Sequence, residues 1–317
     1  MSDPLITIGI TCYRERDWLL ECWESVLAQT DDRWEAVLVM DGAADQRTRE
    51  IFERINHPKL RKYEMPYNVG PYPTRNKAFD LTHTPYHFYL DADDRLLPHT
   101  VGTVLEGFAN HPNAGVVYGD YQLFGGHEGV WSYPHHPTPD MLVNGQCIPC
   151  GGGYKKELWQ QLGGFAPELA YGNGDYDFMI GVIEHGVEVY HCGRVLCLYR
   201  TGHSGSVSAS YRKKYHETHE IMVQRHPKFF ENACRRNKYL AIGYSIAARA
   251  NYAAGDKGRA AELARVAFRK GLWHDPEVLY LAGGTCLPTW GYGGLVKVRS
   301  LWRRAAGRRL KRERTGG

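Results

Sequence analysis

Apolar positions fall into two alternating rhythms along the first 120 residues. LITIGITCY, from Leu5, is a nearly unbroken apolar run of strand length, whereas in RDWLLECWESVLAQT the residues Trp18, Leu19, Cys22, Trp23, Val26 and Leu27 recur at the spacing of one helix face. The alternation continues through WEAVLVM, which ends at Asp41, then a helix from Thr48 to Ile55 and a short strand from Lys59 to Tyr63. A helix from Thr74 to Leu81, the strand HFYL and a closing GVVYGDY follow. Strands alternating with helices across short connections predict parallel strands and crossover helices, with ligands bound at the carboxyl ends of the strands. Asp41 and Asp91 both stand at such ends.

From about residue 121 the texture shifts to Gly, Pro, His and aromatic residues, with a helix expected at KKELWQQL and strands at VEVYH and VLCLYR. This half is expected to shape a pocket. After Ser208 the strand signals stop and helical patterns take over, in YRKKYHETHEIMVQRH, KYLAIGYSIAARANYAAGD and GRAAELARVAFRKG. The pair around Gly255 and Asp256 resembles one tetratricopeptide-like hairpin, and a single unit is not a repeat array.

Composition adds bounds. With 317 residues, 43% hydrophobic and 23% charged, the chain can build one large core and a smaller satellite. No apolar run approaches the roughly 18 to 20 residues that span a bilayer, and MSDPLITIGITCY lacks the marks of a secretory leader, so a cytoplasmic location is expected. Eight cysteines are scattered through strand-like and helix-like segments, as reduced core residues are. Residues 296–314 hold nine Lys or Arg against Glu313 alone, a local +8 within a formal net charge of +4, which leaves the body near −4. The basic character belongs to the tail, and nucleic-acid binding is not expected.

The stretch HFYLDADDRLLP runs from a strand straight into Asp91, Asp93 and Asp94. Neighbouring like charges raise one another's pKa and repel, so such a cluster requires a compensating cation or hydrogen-bond network. An oxygen-only donor set of one or two carboxylates suits Mg²⁺ or Mn²⁺. Asp94 also has the sequence position of a helix cap. Arg75, in PTRNKAF, follows a Gly-Pro loop and heads a helix, where guanidinium and helix terminus both favour an anion, with Asn76 as support.

Taken in order, ITIGITCYRER, VLVMDGAAD, YNVGPYPTRNKAFDLTHTPYHFYLDADD, GGYKKELWQQLGGF, GNGDYDF and YRTGHSGSVS resemble the blocks of family 2 glycosyltransferases, over roughly residues 5–208. The resemblance implies a GT-A fold, an α/β architecture with a Rossmann-like mixed sheet, and a C-terminal helical appendage beyond it. It divides the chain into a glycosyltransferase domain at 1–208 (a nucleotide-binding half at 1–120 and an acceptor half at 121–208), the appendage at 209–294 and a basic tail at 295–317.

The activity so implied is inverting, metal-dependent transfer of a single sugar from a nucleoside diphosphate sugar to an acceptor hydroxyl, on a saccharide or a lipid-linked carrier, in glycan biosynthesis. By the same resemblance Asp93 is the direct ligand of Mn²⁺ or Mg²⁺, Asp91 meets the ribose or a metal-bound water, and Asp94 supports them. Thr11, Tyr13 and Asp41 are expected at the nucleotide base and Arg75 at the diphosphate. Asp175 of GNGDYDF falls on the position of the catalytic base, with Asp177 orienting its helix. In the final block Arg200, His203 and Ser204 are candidates for the diphosphate or metal, and Gly152 of the GGG run is expected to let the backbone approach the donor sugar. Two positions depart from the family pattern: Met40 stands for the first acid of its DDGS-like run, and Gly174 for the first acid of the pair that ends in Asp175.

CIPC at Cys147 and Cys150 has redox or half-zinc spacing but lacks a second CxxC, and YPHHP at 133–137 reads as a rigid loop near the acceptor. A processive synthase is disfavoured by the lack of transmembrane runs and of a QxxRW-like block. A nucleotidyltransferase is disfavoured by TCYRERDW, which stands where such enzymes place a Gly-rich basic loop. A catalytically silent relative, acting as a glycan-binding or scaffolding protein, is the alternative from another class. The basic tail mixes Leu295, Val298, Leu301 and Trp302 with arginines, a pattern able to lie on an anionic membrane.

Overall fold

The computed structural model describes residues 3–42, 44–169, 172–202, 211–272 and 274–283. The chain divides into two compact units, Met1–Ala209 with His226–Phe229, and Ser210–Arg225 with Phe230–Gly317.

The first unit is built on β1 (Ile6–Cys12), β2 (Trp34–Met40), β3 (Leu60–Glu64), β4 (Tyr86–Asp91), β5 (Arg95–Leu96), β6 (Ala114–Gly125), β7 (Gly129–Trp131), β8 (Gly153–Lys155) and β9 (Glu188–Thr201). They form one sheet in the order β3-β2-β1-β4-β8-β6-β9-β5, with β7 paired to β6. β1 lies parallel to both β2 and β4, and every side chain of β1 is buried, which is why this strand reads as an unbroken apolar run. The helices between strands are α1 (Asp17–Leu27), α2 (Gln46–Arg54), α3 (Pro71–Asp80), α4 (Thr100–Asn110), α5 (Pro139–Asn144), α6 (Lys156–Leu162) and α7 (Gly174–Glu184). In α1 the expected stripe is the buried face, through Leu19, Cys22, Trp23 and Val26.

The parallel pattern breaks at β8, which runs antiparallel to both β4 and β6. Three consecutive glycines make this insertion possible. A Cβ on Gly151 would lie 2.5 Å from the Tyr121 hydroxyl, one on Gly152 2.9 Å from the Val117 carbonyl, and one on Gly153 2.3 Å from Val104 Cγ1. The two strands expected at VEVYH and VLCLYR are one continuous β9, whose pairing with β6 shifts register between Tyr118 and Tyr121.

The second unit consists of α8 (Tyr215–Arg225), α9 (Ala233–Ala253), α10 (Lys257–Arg269) and α11 (Pro276–Ala282). Asn232, Asp256 and Asp275 each cap the helix that follows with a side-chain oxygen. Ala247, Ala248, Leu263, Ala264, Tyr280 and Leu281 form its core, the small residues letting α9 and α10 approach closely. No helix among the described residues is long and apolar enough to cross a membrane.

Candidate active site

Because β1 pairs with β2 and β4, the ends of these strands at Cys12, Met40 and Asp91 are neighbours. The chain leaving β4 turns at once: the Ala92 N–H donates to the Thr11 carbonyl at 3.2 Å and the Asp94 N–H to the Asp91 carbonyl at 3.0 Å. This turn gathers Asp91, Asp93 and Asp94 so that one carboxylate oxygen from each lies within 4.8 Å of the others. Burial, then the charges of Asp91 and Glu15, pushes Asp93 up to about 7. Asp94 is likewise raised, by burial and by Asp93 and Asp91. Burial and mutual repulsion therefore both oppose full ionisation of the three acids.

Two arginines frame the acids. The Arg75 guanidinium, mostly buried, donates to both Asp91 oxygens at 3.0 and 3.1 Å, and lies over the rings of Tyr72 and Tyr89. Tyr89 also donates its hydroxyl to Asp91. The sequence assigns Arg75 to a diphosphate; in the structure it is the partner of Asp91, because α3 begins at Pro71 and brings its first turns against the end of β4. Its Nε is buried with no hydrogen-bond partner. Arg200, from β9, donates its backbone N–H to Asp94 Oδ1 at 2.8 Å and its Nε to the Asp93 carbonyl at 2.9 Å, and its guanidinium bonds Glu21 of α1. It holds the acid turn in shape.

Thr11 is buried at the end of β1, and Tyr13 follows it, half-buried beneath the Arg14 guanidinium. Asp41 is 4% exposed, and its carboxylate accepts from the N–H groups of Gly42, Val69 and Gly70 at 2.9, 2.9 and 3.1 Å. It thereby hangs the loop before α3 from the end of β2, and any contact with a base has to use the lone pairs left over. Met40, the departure from the family pattern, is fully buried, in a place where an acid would be desolvated.

Asp175 sits in the first turn of α7, after Asn173 in the left-handed conformation. Its Oδ1 accepts from the Tyr72 hydroxyl at 2.7 Å and its Oδ2 from the Gln146 amide at 2.9 Å. Gly174, the second departure, is explained by the same tyrosine: a Cβ there would lie 2.8 Å from the Tyr72 ring. Asp177 is buried and bonds the His226 Nε2 at 2.9 Å, while Glu184, two turns on along α7, bonds His226 Nδ1 at 3.1 Å. The Asp177 and Glu184 carboxylates thus hold the His226 ring between them.

Gly152 does not face open space. The neighbour that excludes a side chain is the Val117 carbonyl, so the glycine serves close packing of the sheet. His203 and Ser204 lie outside the described residues, as does the 295–317 tail. The described cysteines, Cys147 and Cys150 included, are free. Glu15, Tyr72, Gln146 and Glu21 carry no signal in the sequence. Nothing in their spacing separates them from surface polar residues, and only the folded turn places them beside the acids.

A family model described as "Glycosyl transferase family 2" matches residues 7–165, half of the chain. The chain belongs to glycosyl transferase family 2. It is 32% identical over 107 residues to the teichoic acid poly(glycerol phosphate) polymerase of Staphylococcus epidermidis, a match covering 33% of this family 2 chain and 15% of that protein's length. It is 21% identical over 244 residues to the UDP-Glc:alpha-D-GlcNAc-diphosphoundecaprenol beta-1,3-glucosyltransferase of Escherichia coli, covering 76% and 92% of the two chains. Among solved structures, S. aureus TarS 1–349 in complex with UDP-GlcNAc superposes with a TM-score of 0.66 at 14% identity, over 88% of this chain and 87% of that one. The likeness is one of fold, and the family 2 sheet is of the GT-A type.

Proposed function

We propose that the chain transfers a single sugar, with inversion, from a nucleoside diphosphate sugar to a hydroxyl of a saccharide or lipid-linked acceptor. The observation that carries this reading is the set of three carboxylates within 4.8 Å of one another at the end of β4. An oxygen-only cluster of buried acids that repel one another fits Mg²⁺ or Mn²⁺, with Asp93 as the direct ligand and Asp91 and Asp94 behind it. A divalent ion held there neutralises charge on the departing diphosphate. The remaining work falls to the chain itself. Thr11, Tyr13 and Asp41 line the base side, and Arg75, beside Asp91, stands on the diphosphate side. Asp175 takes the proton of the acceptor hydroxyl, its carboxylate aimed by Tyr72 and Gln146. His203 and Ser204 are proposed to act from the segment after Gly202. The family and the relatives named above support donor and acceptor classes of this kind. The proposed boundaries remain 1–208 for the transferase part, 209–294 for the helices and 295–317 for the tail.

The test is thermal melting against UDP, dTDP, GDP and CDP, each with Mn²⁺ and with a chelator, since a ligand of the native state raises Tm. A rise with one nucleotide, and only with metal, is expected. No rise with any nucleotide in either condition overturns the reading.

A further inference from the structure

A ladder of aromatic rings runs from the surface to the acid site. Trp131 of β7 and Tyr121 of β6 stand opposite each other in an antiparallel pair. Tyr133 stacks on Trp131, with ring centres 5.6 Å apart and planes 15° from parallel, and meets Tyr121 edge-on at 5.5 Å. Tyr199 of β9 stacks on Tyr121 at 5.6 Å and meets Trp131 edge-on at 6.0 Å. Tyr121 and Tyr133 are buried, whereas Trp131 is 48% exposed and Val130 beside it 52% exposed. The ladder is rigid at its root: the Tyr121 hydroxyl accepts the Gly151 N–H at 2.7 Å, and the Tyr133 N–H donates to Asp120 at 2.9 Å. The next residue is pinned as well, its Pro134 carbonyl accepting the Tyr118 hydroxyl at 2.5 Å.

The ladder leads to the catalytic acids. Tyr199 immediately precedes Arg200, whose backbone N–H donates to Asp94 Oδ1 at 2.8 Å. Among the described residues the hydroxyls of Tyr133 and Tyr199 form no hydrogen bond, although neither is sealed from solvent. An exposed indole held by two rings, beside two tyrosine hydroxyls that bond nothing among the described residues, presents apolar and polar surface together.

We infer that Trp131, Tyr133 and Tyr199 form a saccharide subsite on the acceptor side, which holds a pyranose ring of the acceptor against the Trp131 face while its hydroxyls reach Tyr133 and Tyr199. This rests on the reading of Asp175 as the base that receives the acceptor. The face of a pyranose presents C–H groups of slight positive charge, which match the negative face of an aromatic ring, and its rim presents hydroxyls. An acyl chain would satisfy the indole but leave the hydroxyls of Tyr133 and Tyr199 without partners, so the ring and not a lipid tail is the occupant. Aromatic platforms of this kind lose little conformational freedom on binding, which suits them to weak ligands.

The experiment is saturation-transfer NMR on the full chain with cellobiose, N,N′-diacetylchitobiose and octyl β-glucoside, in wild type, Trp131→Ala and Asp93→Ala. Saturation is expected on the ring protons of at least one disaccharide. It should fall by about three- to tenfold in Trp131→Ala, the loss of one stacking contact, and persist in Asp93→Ala. Because Trp131 also packs on Tyr133 and Tyr199, the Tm of Trp131→Ala is measured beside its binding, and a chain still folded at the temperature of the experiment reads binding alone. Saturation confined to the alkyl protons of octyl β-glucoside, equal transfer in Trp131→Ala, or none in wild type overturns the subsite. Nucleotide-dependent melting, measured on the same samples, reads the donor side separately. A Tm rise without saccharide saturation removes the subsite alone, and saturation without a Tm rise keeps a saccharide site while removing the transferase reading.

Discussion

The Tyr72 hydroxyl donates to Asp175 Oδ1 at 2.7 Å while the Tyr72 ring occupies the space that a side chain at position 174 would need. One residue of α3 therefore both aims the proposed base and dictates glycine beside it. The departure from the family's acid pair thus has a local packing reason.

Replacing Asp175 by Asn is expected to lower sugar transfer by about 10² to 10⁴-fold, the usual contribution of a general base, with nucleotide affinity nearly unchanged. Tyr72→Phe, which keeps the ring and loses the donor, should cost about tenfold in turnover. Gly174→Ala forces the ring aside and should cost both turnover and about 1 to 3 kcal/mol of stability. Initial rates beside calorimetric donor affinity check all three, and near-normal transfer by Asp175→Asn would remove it as the base.

Asp93→Ala should abolish the metal-dependent rise in Tm with nucleotide. Asp91→Ala acts differently, because it strips the buried Arg75 of its partner. Its cost should appear without any ligand, at about 1 to 3 kcal/mol once the one-third exposure of Asp91 is allowed for. Denaturant titration of the ligand-free variants separates the two effects; equal ligand-free stability of Asp91→Ala and wild type would show that the Arg75 pair contributes nothing.

His226 lies between Asp177 and Glu184. Burial lowers its pKa, but the hydrogen bonds and charges of the two carboxylates outweigh that and leave it above the ordinary 6.5. Burial raises Glu184, and the Phe229 N–H and the His226 ring outweigh that in turn, leaving it below 4.5. The histidine's contribution is fully present below about pH 6.5 and is lost as pH rises through its raised folded value. The Glu184 contribution is present above about pH 4.5 and is lost as pH falls through its lowered one. Wild-type Tm should therefore be highest, from this clamp, between those limits, and His226→Gln should flatten the profile. A variant profile parallel to wild type counts against the clamp.

The tail carries a proposal that sequence alone supports. Basic residues near an anionic surface contribute about 1 kcal/mol each at most. Sedimentation with phosphatidylserine vesicles should retain the full chain in a salt-sensitive manner and release a chain ending at Gly294. Equal behaviour of the two denies the tail a membrane role.

The first strands, the acid turn and the first helix are legible because each is written in local periodicity: β1 as an apolar run, α1 as a stripe, DADD as charge at a strand end. What escapes depends on partners far apart in sequence. β8 has three residues and no pattern of its own, and its glycines signal packing against Tyr121, Val117 and Val104 that no local reading supplies. Arg75 is read from its place at a helix start, yet its partner is Asp91, a contact set by how α3 meets β4. Tyr72 and Gln146 flank Asp175 from positions 103 and 29 residues away.

Arg200 gives the acid turn a place in the order of synthesis. The turn's own residues are complete by Asp94, yet the residue that fixes it, with its backbone N–H on Asp94 and its side chain on Asp93, arrives more than a hundred residues later, on β9. A growing chain makes its acids long before it makes Arg200, and a fragment that stops short of the ninth strand lacks both bonds that brace the turn.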